Sequence, residues 1–393
     1  MSPSQCNLDD RITFDDSVFR TVGHNPYYIT MSSDLGDPVI VEGRSYINLA
    51  SNNYLGLAND ARLKDAYINA IIQYGVSMCA TPIAGGYTDL FHSVQQSLSS
   101  FIGVESVLVY PSCYQANNGI FSALAKKSDV IIFDRCAHAS LIQGIRSVGC
   151  RALPFAHNDM ECLDYLLSRV QDHGRIFVVT ESVFSTEGSI APFRRICDLC
   201  MLHGAVPVVD DSHGIGVIGS HGRGILEYSG IENYQGIYTT SLGKAFANNC
   251  GVVGGSHSLI EYLRYFSAHL VYSTAVAPCV LAGVIQTIKI VEQEFTTLSR
   301  TLYSYHAVIK NALRECGYDI VDSSAPINAI KAGSTEQTIA TAKDLFDNGI
   351  FCTPFVFPSV PKREGRVRLI AGANLRESTI ERAVRTFRML RKS

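Results

Sequence analysis

The sequence predicts an α/β protein with a large domain built on a mainly parallel β-sheet, followed by a smaller C-terminal α/β domain. Between about residues 65 and 280, helical patterns alternate with short, uninterrupted apolar runs, as expected of parallel strands that helices cover on both faces. After Pro278 the pattern changes to one long helix and a second, smaller set of strands and helices. A chain of 393 residues is also long enough for two domains.

The predicted elements follow from hydrophobic periodicity and turn residues. An N-terminal arm over 1–48 ends in a hairpin that pairs 39–41 with 46–48, and the large domain over 49–285 starts with a helix at 61–74. Its strands are expected at 106–110, 129–133, 175–180, 205–209 and 236–238. The small domain over 286–393 should contain strands at 318–321, 327–330, 351–357 and 366–370, with helices at 335–348 and from 376.

Composition and charge are those of an ordinary soluble enzyme. The sequence is 47% hydrophobic and 18% charged, with a formal net charge of −3, so nucleic acid is not an expected partner. The first ten residues lack the basic and apolar segments of a signal peptide, and no apolar run approaches the roughly 20 residues of a membrane span. We expect a cytoplasmic protein without a membrane span.

The 12 cysteines are scattered among apolar neighbours, which is typical of reduced thiols in a core. Cys197 and Cys200 have the spacing of a metal or redox pair, but they lie in a helical run, and the sequence has no second such pair. We therefore expect core thiols here and no metal site.

Polar residues follow five of the predicted strands. Ligands of open α/β sheets bind beyond the carboxyl ends of the strands, so these residues are expected to share one site. The clusters are 112–114, 134–138, 181–185, 210–213 and 239–241. Residues 214–219 match the G-x-G-x-x-G pattern of dinucleotide binding. In dinucleotide-binding folds this pattern follows the first strand, whereas here it follows a late one. A dinucleotide-dependent oxidoreductase is therefore kept only as an alternative function.

Lys244 is the candidate for the reactive group of this site. It lies in a run of small, hydroxylated and glycine residues over 238–255, and partial burial would lower its pKa and make the amine nucleophilic. Enzymes that use pyridoxal phosphate (PLP) hold the cofactor through such a lysine, and nearby glycines would let the backbone approach a flat ring. Ser241 could contact the phosphate. A lone lysine in a loop is more often merely solvated. The assignment of Lys244 as a PLP lysine therefore depends on the other polar clusters.

Asp210 could pair with the pyridinium nitrogen of PLP and keep it protonated, or it could simply cap the next helix. His213 and Ser185 could hydrogen-bond the phenolic oxygen of the cofactor, and His138 could stack on its ring. Each of these residues alone could be structural. Their convergence with Lys244 favours PLP.

With these residues assembled, the chain resembles the α-oxoamine synthase family of fold-type I PLP enzymes over about residues 25–390. The segments that carry the resemblance are 53–56, 112–117, 138–141, 182–185, 210–213, 241–244, 272–274 and 366–368. The resemblance implies catalytic roles for Lys244, His138, Asp210 and His213. It implies that PLP is contacted by Cys113, Tyr114, His138, Ser185, Asp210, His213, Ser241, Lys244 and the partner subunit's Thr274. It implies that the substrate is contacted by Asn53 and Arg368. It also implies a homodimer with its active sites at the subunit interface.

The reaction implied by the resemblance is a decarboxylating condensation. A small α-amino acid would react with an acyl-CoA or with the thioester of an acyl-carrier protein, and the products would be an α-aminoketone, carbon dioxide and free thiol. The chemistry of Arg368 agrees with this, because a guanidinium binds a carboxylate through two parallel hydrogen bonds.

Two departures from the common family pattern bear on the subtype. Pro82 stands about where most members carry an arginine, and residues 186–189 read Thr-Glu-Gly-Ser instead of Met-Asp-Gly-Asp. Both resemble the autoinducer-synthase branch, so an autoinducer-like or secondary-metabolite aminoketone synthase is expected. The alternatives are 8-amino-7-oxononanoate synthase of the biotin pathway, 2-amino-3-ketobutyrate coenzyme A ligase, and a PLP-dependent aldolase or aminotransferase.

Overall fold

The N-terminal arm contributes a short helix and a hairpin. The computed structural model describes residues 12, 15–171 and 173–390, so residues 1–11, 13 and 14 of the predicted arm lie outside the described residues. The arm contains α1 (Ser17–Val22), β1 (Val39–Val41) and β2 (Arg44–Asn48). Its strands are antiparallel, and Glu42 and Gly43 between them both have positive φ, as two-residue hairpin turns of this kind require. The predicted hairpin is confirmed.

The large domain alternates helices with the strands of one sheet. Its elements are α2 (Ala61–Tyr74), α3 (Asp89–Ile102), β3 (Ser106–Tyr110), α4 (Cys113–Leu124), β4 (Val130–Asp134), α5 (Ala139–Val148), β5 (Arg151–Phe155), α6 (Met160–Arg169), β6 (Ile176–Glu181), α7 (Phe193–His203), β7 (Val206–Asp210), α8 (Ile225–Tyr228), β8 (Ile237–Ser241), β9 (Gly251–Gly255), α9 (His257–Phe266) and α10 (Ala268–Val271). The strand order is β3-β9-β8-β7-β6-β4-β5, in which β9 is antiparallel to both neighbours and the other pairs are parallel. The predicted mainly parallel sheet is confirmed.

Two strands of this sheet are absent from the sequence prediction. Three of the five residues of β9 are glycines, and glycine interrupts the apolar run that marks a buried strand. The edge strand β5 contains Pro154 and is mostly exposed, which is typical of edge strands but unlike the apolar pattern of the central ones. One predicted strand end is wrong, because β8 extends to Ser241 and residues 239–241 therefore lie within the strand.

Helices cover both faces of the sheet. On one face, α4, α5 and α9 bury apolar side chains such as Ile120, Leu141 and Leu263. On the other face, α3 and α7 bury Phe101 and Ile196. Because both faces are covered, the central strands can be apolar throughout. In the described part of the chain, no helix is both long and apolar enough to cross a membrane.

A long helix and a second, smaller sheet complete the chain. The elements are α11 (Pro278–Glu315), β10 (Asn328–Gly333), α12 (Thr335–Asp347), β11 (Ile350–Phe351), β12 (Thr353–Phe355), β13 (Gly365–Leu369) and α13 (Glu377–Met389). Strands β10, β13 and β12 form an antiparallel sheet, and β11 pairs in parallel with β2 of the arm. The strand expected at 318–321 is reduced to one bridge, between Ile320 and Ile330.

The predicted boundary between residues 285 and 286 falls inside α11. This helix packs on α2 and α3 of the large domain and on α13 of the small domain. It therefore connects the two regions without an intervening linker, and the domain limits stay a prediction.

Candidate active site

Asp210, the last residue of β7, lies at the centre of the site and is buried. Its Oδ2 accepts a hydrogen bond from Asn117 Nδ2 on α4 at 2.7 Å, and its Oδ1 accepts one from the Ser212 backbone N–H at 3.0 Å. The Sγ of Cys113 lies 4.0 Å from the same Oδ2. Hydrogen bonds of this kind stabilise the charged form of a buried carboxylate. Asp210 can therefore accept a hydrogen bond from a protonated ring nitrogen.

Lys244 lies between β8 and β9 and is partly buried. Burial lowers the pKa of its amine, the negative charge of Asp210 opposes this effect, and the cation of Arg368 lowers the pKa further. A lower pKa increases the fraction of neutral amine, which is the nucleophilic form. The structure thus brings together the lysine and the aspartate that the sequence predicts to act on one cofactor.

His213 is buried, and burial together with the cations of Lys244 and Arg368 lowers the pKa of its imidazole well below the usual value. Its Nδ1 lies 2.8 Å from the hydroxyl of Tyr54, which precedes α2. Burial raises the pKa of Tyr54, so the phenol stays protonated. We assign this hydrogen bond as Tyr54 O–H donating to Nδ1. The ring proton is then on Nε2, where it can be donated to a ligand oxygen.

His138, the N-cap of α5, is connected to Asp210 by hydrogen bonds. Its Nδ1 lies 2.8 Å from Ser140 Oγ, which itself accepts from Asn117 Nδ2 at 2.9 Å, and that amide group also donates to Asp210. Because Ser140 Oγ accepts from Asn117, its own hydrogen points to Nδ1, and the ring proton of His138 is on Nε2. Burial lowers the pKa of His138, so the ring is neutral. The residue is still solvent-accessible, so a planar ligand can reach it.

Arg368 on β13 is buried, and its Nη1 donates to the backbone carbonyl of Ser185 at 2.9 Å. The guanidinium carbon lies 4.8 Å from the ring centre of Phe355. Within the described residues, its Nε has no hydrogen-bond partner. A buried guanidinium with an unused donor requires an acceptor, and a carboxylate satisfies two of its donors at once. The unused donor of Arg368 is available to a carboxylate.

The first turn of α4 and strand β9 form a cradle for an anionic group. Ser112 caps the helix by accepting from the Gln115 N–H at 3.2 Å, and the N–H groups of a helix N-terminus bind phosphate. The backbone of Gly251 approaches this turn so closely that a Cβ there would lie 2.3 Å from the backbone nitrogen of Cys113. Together with the lysine and the aspartate described above, this cradle fits PLP.

The remaining predicted residues divide between the site and the surface. The Ser241 N–H donates to Ser212 Oγ at 2.8 Å, next to Asp210. Tyr114 and Thr274 are exposed. Asn53 is buried, and its Oδ1 accepts from the N–H of residue 58 at 3.2 Å, which is a local contact. The assigned roles of the predicted site residues stay predictions.

Three residues of the site have no role in the sequence prediction. Asn117 and Tyr54 lie inside segments that carry the family resemblance, but sequence spacing does not reveal their bonds to Asp210 and His213. Glu181, the last residue of β6, is buried and lies opposite Asp210 in the strand register. Burial raises the pKa of Glu181 well above its usual value, and the charge of Asp210 adds to this effect. Its place at the end of an apolar run was the one available signal.

Comparison with known proteins decides the family. The family described as aminotransferase class I and II matches residues 44–387. An 8-amino-7-oxononanoate synthase from Thermoanaerobacter pseudethanolicus is 35% identical over 363 residues, which cover 92% of each chain. The enzyme of that name from Alkaliphilus metalliredigens is 34% identical over 351 residues, which cover 89% of each chain. The chain belongs to the α-oxoamine synthase family.

A solved structure shows the same fold. A serine palmitoyltransferase from S. paucimobilis, solved with PLP and myriocin bound, shares the fold with a TM-score of 0.92 over 98% of each chain, at 24% identity. By its family, this α-oxoamine synthase is a PLP-dependent acyltransferase, and its general reaction is a decarboxylating acyl condensation.

The comparisons support one of the alternative subtypes better than the expected one. Relatives that are 31–35% identical are named 8-amino-7-oxononanoate synthase, which favours this alternative over the autoinducer-like synthase. The oxidoreductase alternative also loses its basis, because residues 214–219 form turns and α8 begins only at Ile225, so the G-x-G-x-x-G pattern does not open a helix. Cys197 and Cys200 are free thiols on α7.

Proposed function

We propose that this α-oxoamine synthase is of the 8-amino-7-oxononanoate synthase type and that it uses alanine. The observation that carries the amino-acid half of the proposal is Arg368, whose buried guanidinium has an unused donor. Its charge contributes to lowering the pKa of both Lys244 and His213, which supports a place for the guanidinium in the same site as the reactive amine. The identity of 34% and 35% to two such synthases supports the subtype.

The name of those relatives defines their substrates. In 8-amino-7-oxononanoate, the condensation joins the acyl carbonyl, which becomes C7, to the α-carbon of the amino acid, which becomes C8. Only one methyl group, C9, extends beyond C8, so the amino acid is alanine. The carbons C1 to C7 form a seven-carbon acyl group that ends in a carboxylate. We propose the same pair of substrates for this protein.

The described residues can perform the steps of such a condensation. When bound, PLP supplies an electron sink for negative charge at the α-carbon. Lys244 would hold the cofactor covalently and, once the substrate amine displaces it, accept the α-proton on Nζ. Asp210 would keep the proton on the ring nitrogen, and His213 would donate its Nε2 proton to the phenolic oxygen. Arg368 would fix the substrate carboxylate and so orient the bonds at the α-carbon.

The test is the release of free thiol from a matrix of acyl-CoAs and amino acids, with PLP present. The acyl groups include the seven-carbon group with a terminal carboxylate and saturated chains from short to long, and the amino acids are glycine, alanine, serine and 2-aminobutyrate. We expect release with alanine and the carboxylated acyl-CoA. Release only with serine and a long saturated chain would contradict the proposal and favour a serine palmitoyltransferase type.

We also propose a homodimer in which the partner subunit's Thr274 contacts the phosphate. Tyr114 and Tyr272 are 51% and 83% exposed, and a hydrogen bond of 2.8 Å from Gln115 to Ser273 places them on one surface beside the cradle. Exposed aromatic side chains of this size are typical of subunit interfaces. Tyr272→Glu should yield monomers in light scattering and weaken PLP binding, and a monomeric wild type would contradict the proposal.

A further inference from the structure

His157, which follows β5, connects the end of β4 to the turn formed by residues 184–189, here called the 184–189 turn. Its Nδ1 lies 3.1 Å from each carboxylate oxygen of Asp134. Its Nε2 lies 2.9 Å from Ser189 Oγ and 3.4 Å from Glu187 Oε1. The edge of the imidazole also packs on Phe184, with the ring centres 4.3 Å apart. One side chain therefore contacts three residues of this turn.

The imidazole of His157 is a cation held between two carboxylates. Burial alone would lower its pKa, but hydrogen bonds with Asp134, Cys136 and Glu187 outweigh this effect and raise the pKa to about 11. The pKa of Glu187 is lowered mainly by the same hydrogen bond. The Sγ of Cys136 lies within 4.8 Å of the ligand atoms of Asp134 and His157.

The 184–189 turn is also the place where the small domain contacts the site. Ser323 Oγ donates to the backbone carbonyl of Gly188 at 2.7 Å, and Arg368 donates to the carbonyl of Ser185 at 2.9 Å. His157 contacts the side chains of the same turn. The position of the Arg368 guanidinium therefore depends on the backbone carbonyl of Ser185. The position of that carbonyl depends in turn on the His157 imidazole, which contacts the same turn.

We propose that His157 is a positioning residue for the amino-acid substrate, because it fixes the 184–189 turn whose Ser185 carbonyl holds Arg368. The inference rests on the proposed role of Arg368 as the receptor of the substrate carboxylate. It also accounts for a departure noted in the sequence. Glu187 and Ser189 stand where the common family pattern has two aspartates, and here the longer glutamate and the serine hydroxyl share Nε2 of His157.

The experiment compares three variants of the PLP-loaded enzyme with the wild type. His157→Gln removes the cation. His203→Gln is the matched control, because Nε2 of His203 lies 2.8 Å from Asp164 Oδ1 on α6, in a histidine–carboxylate pair outside the site. Arg368→Lys is the reference for a lost carboxylate receptor. L-alanine, and L-serine in parallel, are titrated while the absorbance spectrum of bound PLP is recorded, which gives a Kd without turnover, and KM and kcat are measured separately.

We expect His157→Gln to raise the Kd and KM for the amino acid about tenfold while kcat falls less than about threefold, because binding geometry changes and the reactive groups do not. His203→Gln should change the Kd less than about twofold. If His157→Gln is not folded, Glu187→Gln, which leaves the Ser189 contact in place, should raise the Kd by a smaller factor in the same direction.

The reference variant separates the two ways in which the inference could be wrong. If Arg368→Lys weakens amino-acid binding and His157→Gln does not, the positioning role is wrong and the proposed function stands. A lower Tm for His157→Gln with an unchanged Kd leads to the same conclusion, since the imidazole would then be purely structural. If Arg368→Lys leaves the Kd unchanged, Arg368 does not bind the substrate carboxylate. The positioning role proposed for His157 is then wrong as well.

Discussion

Replacing Gly251 by alanine tests whether β9 and the first turn of α4 form the phosphate cradle. A Cβ at this position would lie 2.3 Å from the Cys113 nitrogen and 2.4 Å from the carbonyl carbon of Ser112, whereas ordinary contacts begin near 3.4 Å. The strand and the helix would have to separate by about 1 Å, and the loss of one hydrogen bond to a charged group costs about 1.5–3 kcal/mol. The atoms that collide are backbone, so rotation of a side chain cannot relieve the contact.

We expect Gly251→Ala to raise the Kd for PLP by ten- to a hundredfold, equal to about 1.4–2.8 kcal/mol, and to lower the free energy of unfolding by about 1–3 kcal/mol through overpacking. Gly254→Ala on the same strand is the control. A Cβ at that position would meet a methyl group of Val104 at 3.0 Å and nothing else within 3.6 Å. Because a side chain can shift by a few tenths of an ångström, its Kd should change less than about threefold.

The measurement is a titration of PLP into the apoprotein, followed by absorbance, together with urea unfolding of both variants. A loss of stability in Gly251→Ala without a change in the Kd for PLP would mean that the close approach serves packing only. Equal Kd values for Gly251→Ala and Gly254→Ala would refute the cradle.

Three further predictions concern buried charged groups. Lys244→Ala should abolish thiol release, and mass spectrometry after borohydride reduction should find PLP attached to the wild type only. An active Lys244→Ala variant would exclude the mechanism. Arg368→Lys keeps the charge but loses the planar fork, so KM for the amino acid should rise by about ten- to a hundredfold with a smaller change in kcat; an unchanged KM would contradict the assignment. Burial raises the pKa of Asp211 to about 7. Folding therefore favours its protonated form, and the stability that this form contributes is lost as pH rises from about 4 to 7. Asp211→Asn should remove that part of the pH dependence in urea unfolding, and identical slopes in the two proteins would show that Asp211 does not cause it.

The parts of the fold that the sequence predicted well are those whose signals are local. The helix over Ala61–Tyr74 agrees with the prediction at both ends, because Asp60 caps it through the Arg62 N–H and Gly75 ends it. The position of β9 between β3 and β8 depends on strand pairing, which has no local signal. Its glycines also removed the apolar run by which the neighbouring strands were recognised.

The same distinction applies to the site. Lys244 and Asp210 were predicted from short motifs at strand ends. The hydrogen bonds from His138 through Ser140 and Asn117 to Asp210 join three elements, and Asn117 and Asp210 are 93 positions apart in the chain. Such contacts depend on how α4 and α5 pack on the sheet. The spacing of residues in the sequence does not predict these contacts, although Asn117 and Ser140 both belong to segments that carry the family resemblance.

Two buried carboxylates at adjacent strand ends show how the sheet sets the charge of the site. Asp210 and Glu181 are Cα partners in the register of β6 and β7, and two like charges in a buried site are not both stable. Asp210 accepts hydrogen bonds from Asn117 and from the Ser212 N–H, which favour its charged form. Burial and the charge of Asp210 raise the pKa of Glu181 instead, which favours its neutral form. The donors from α4 and Ser212 thus favour negative charge at the end of β7, where a protonated ring nitrogen would need it.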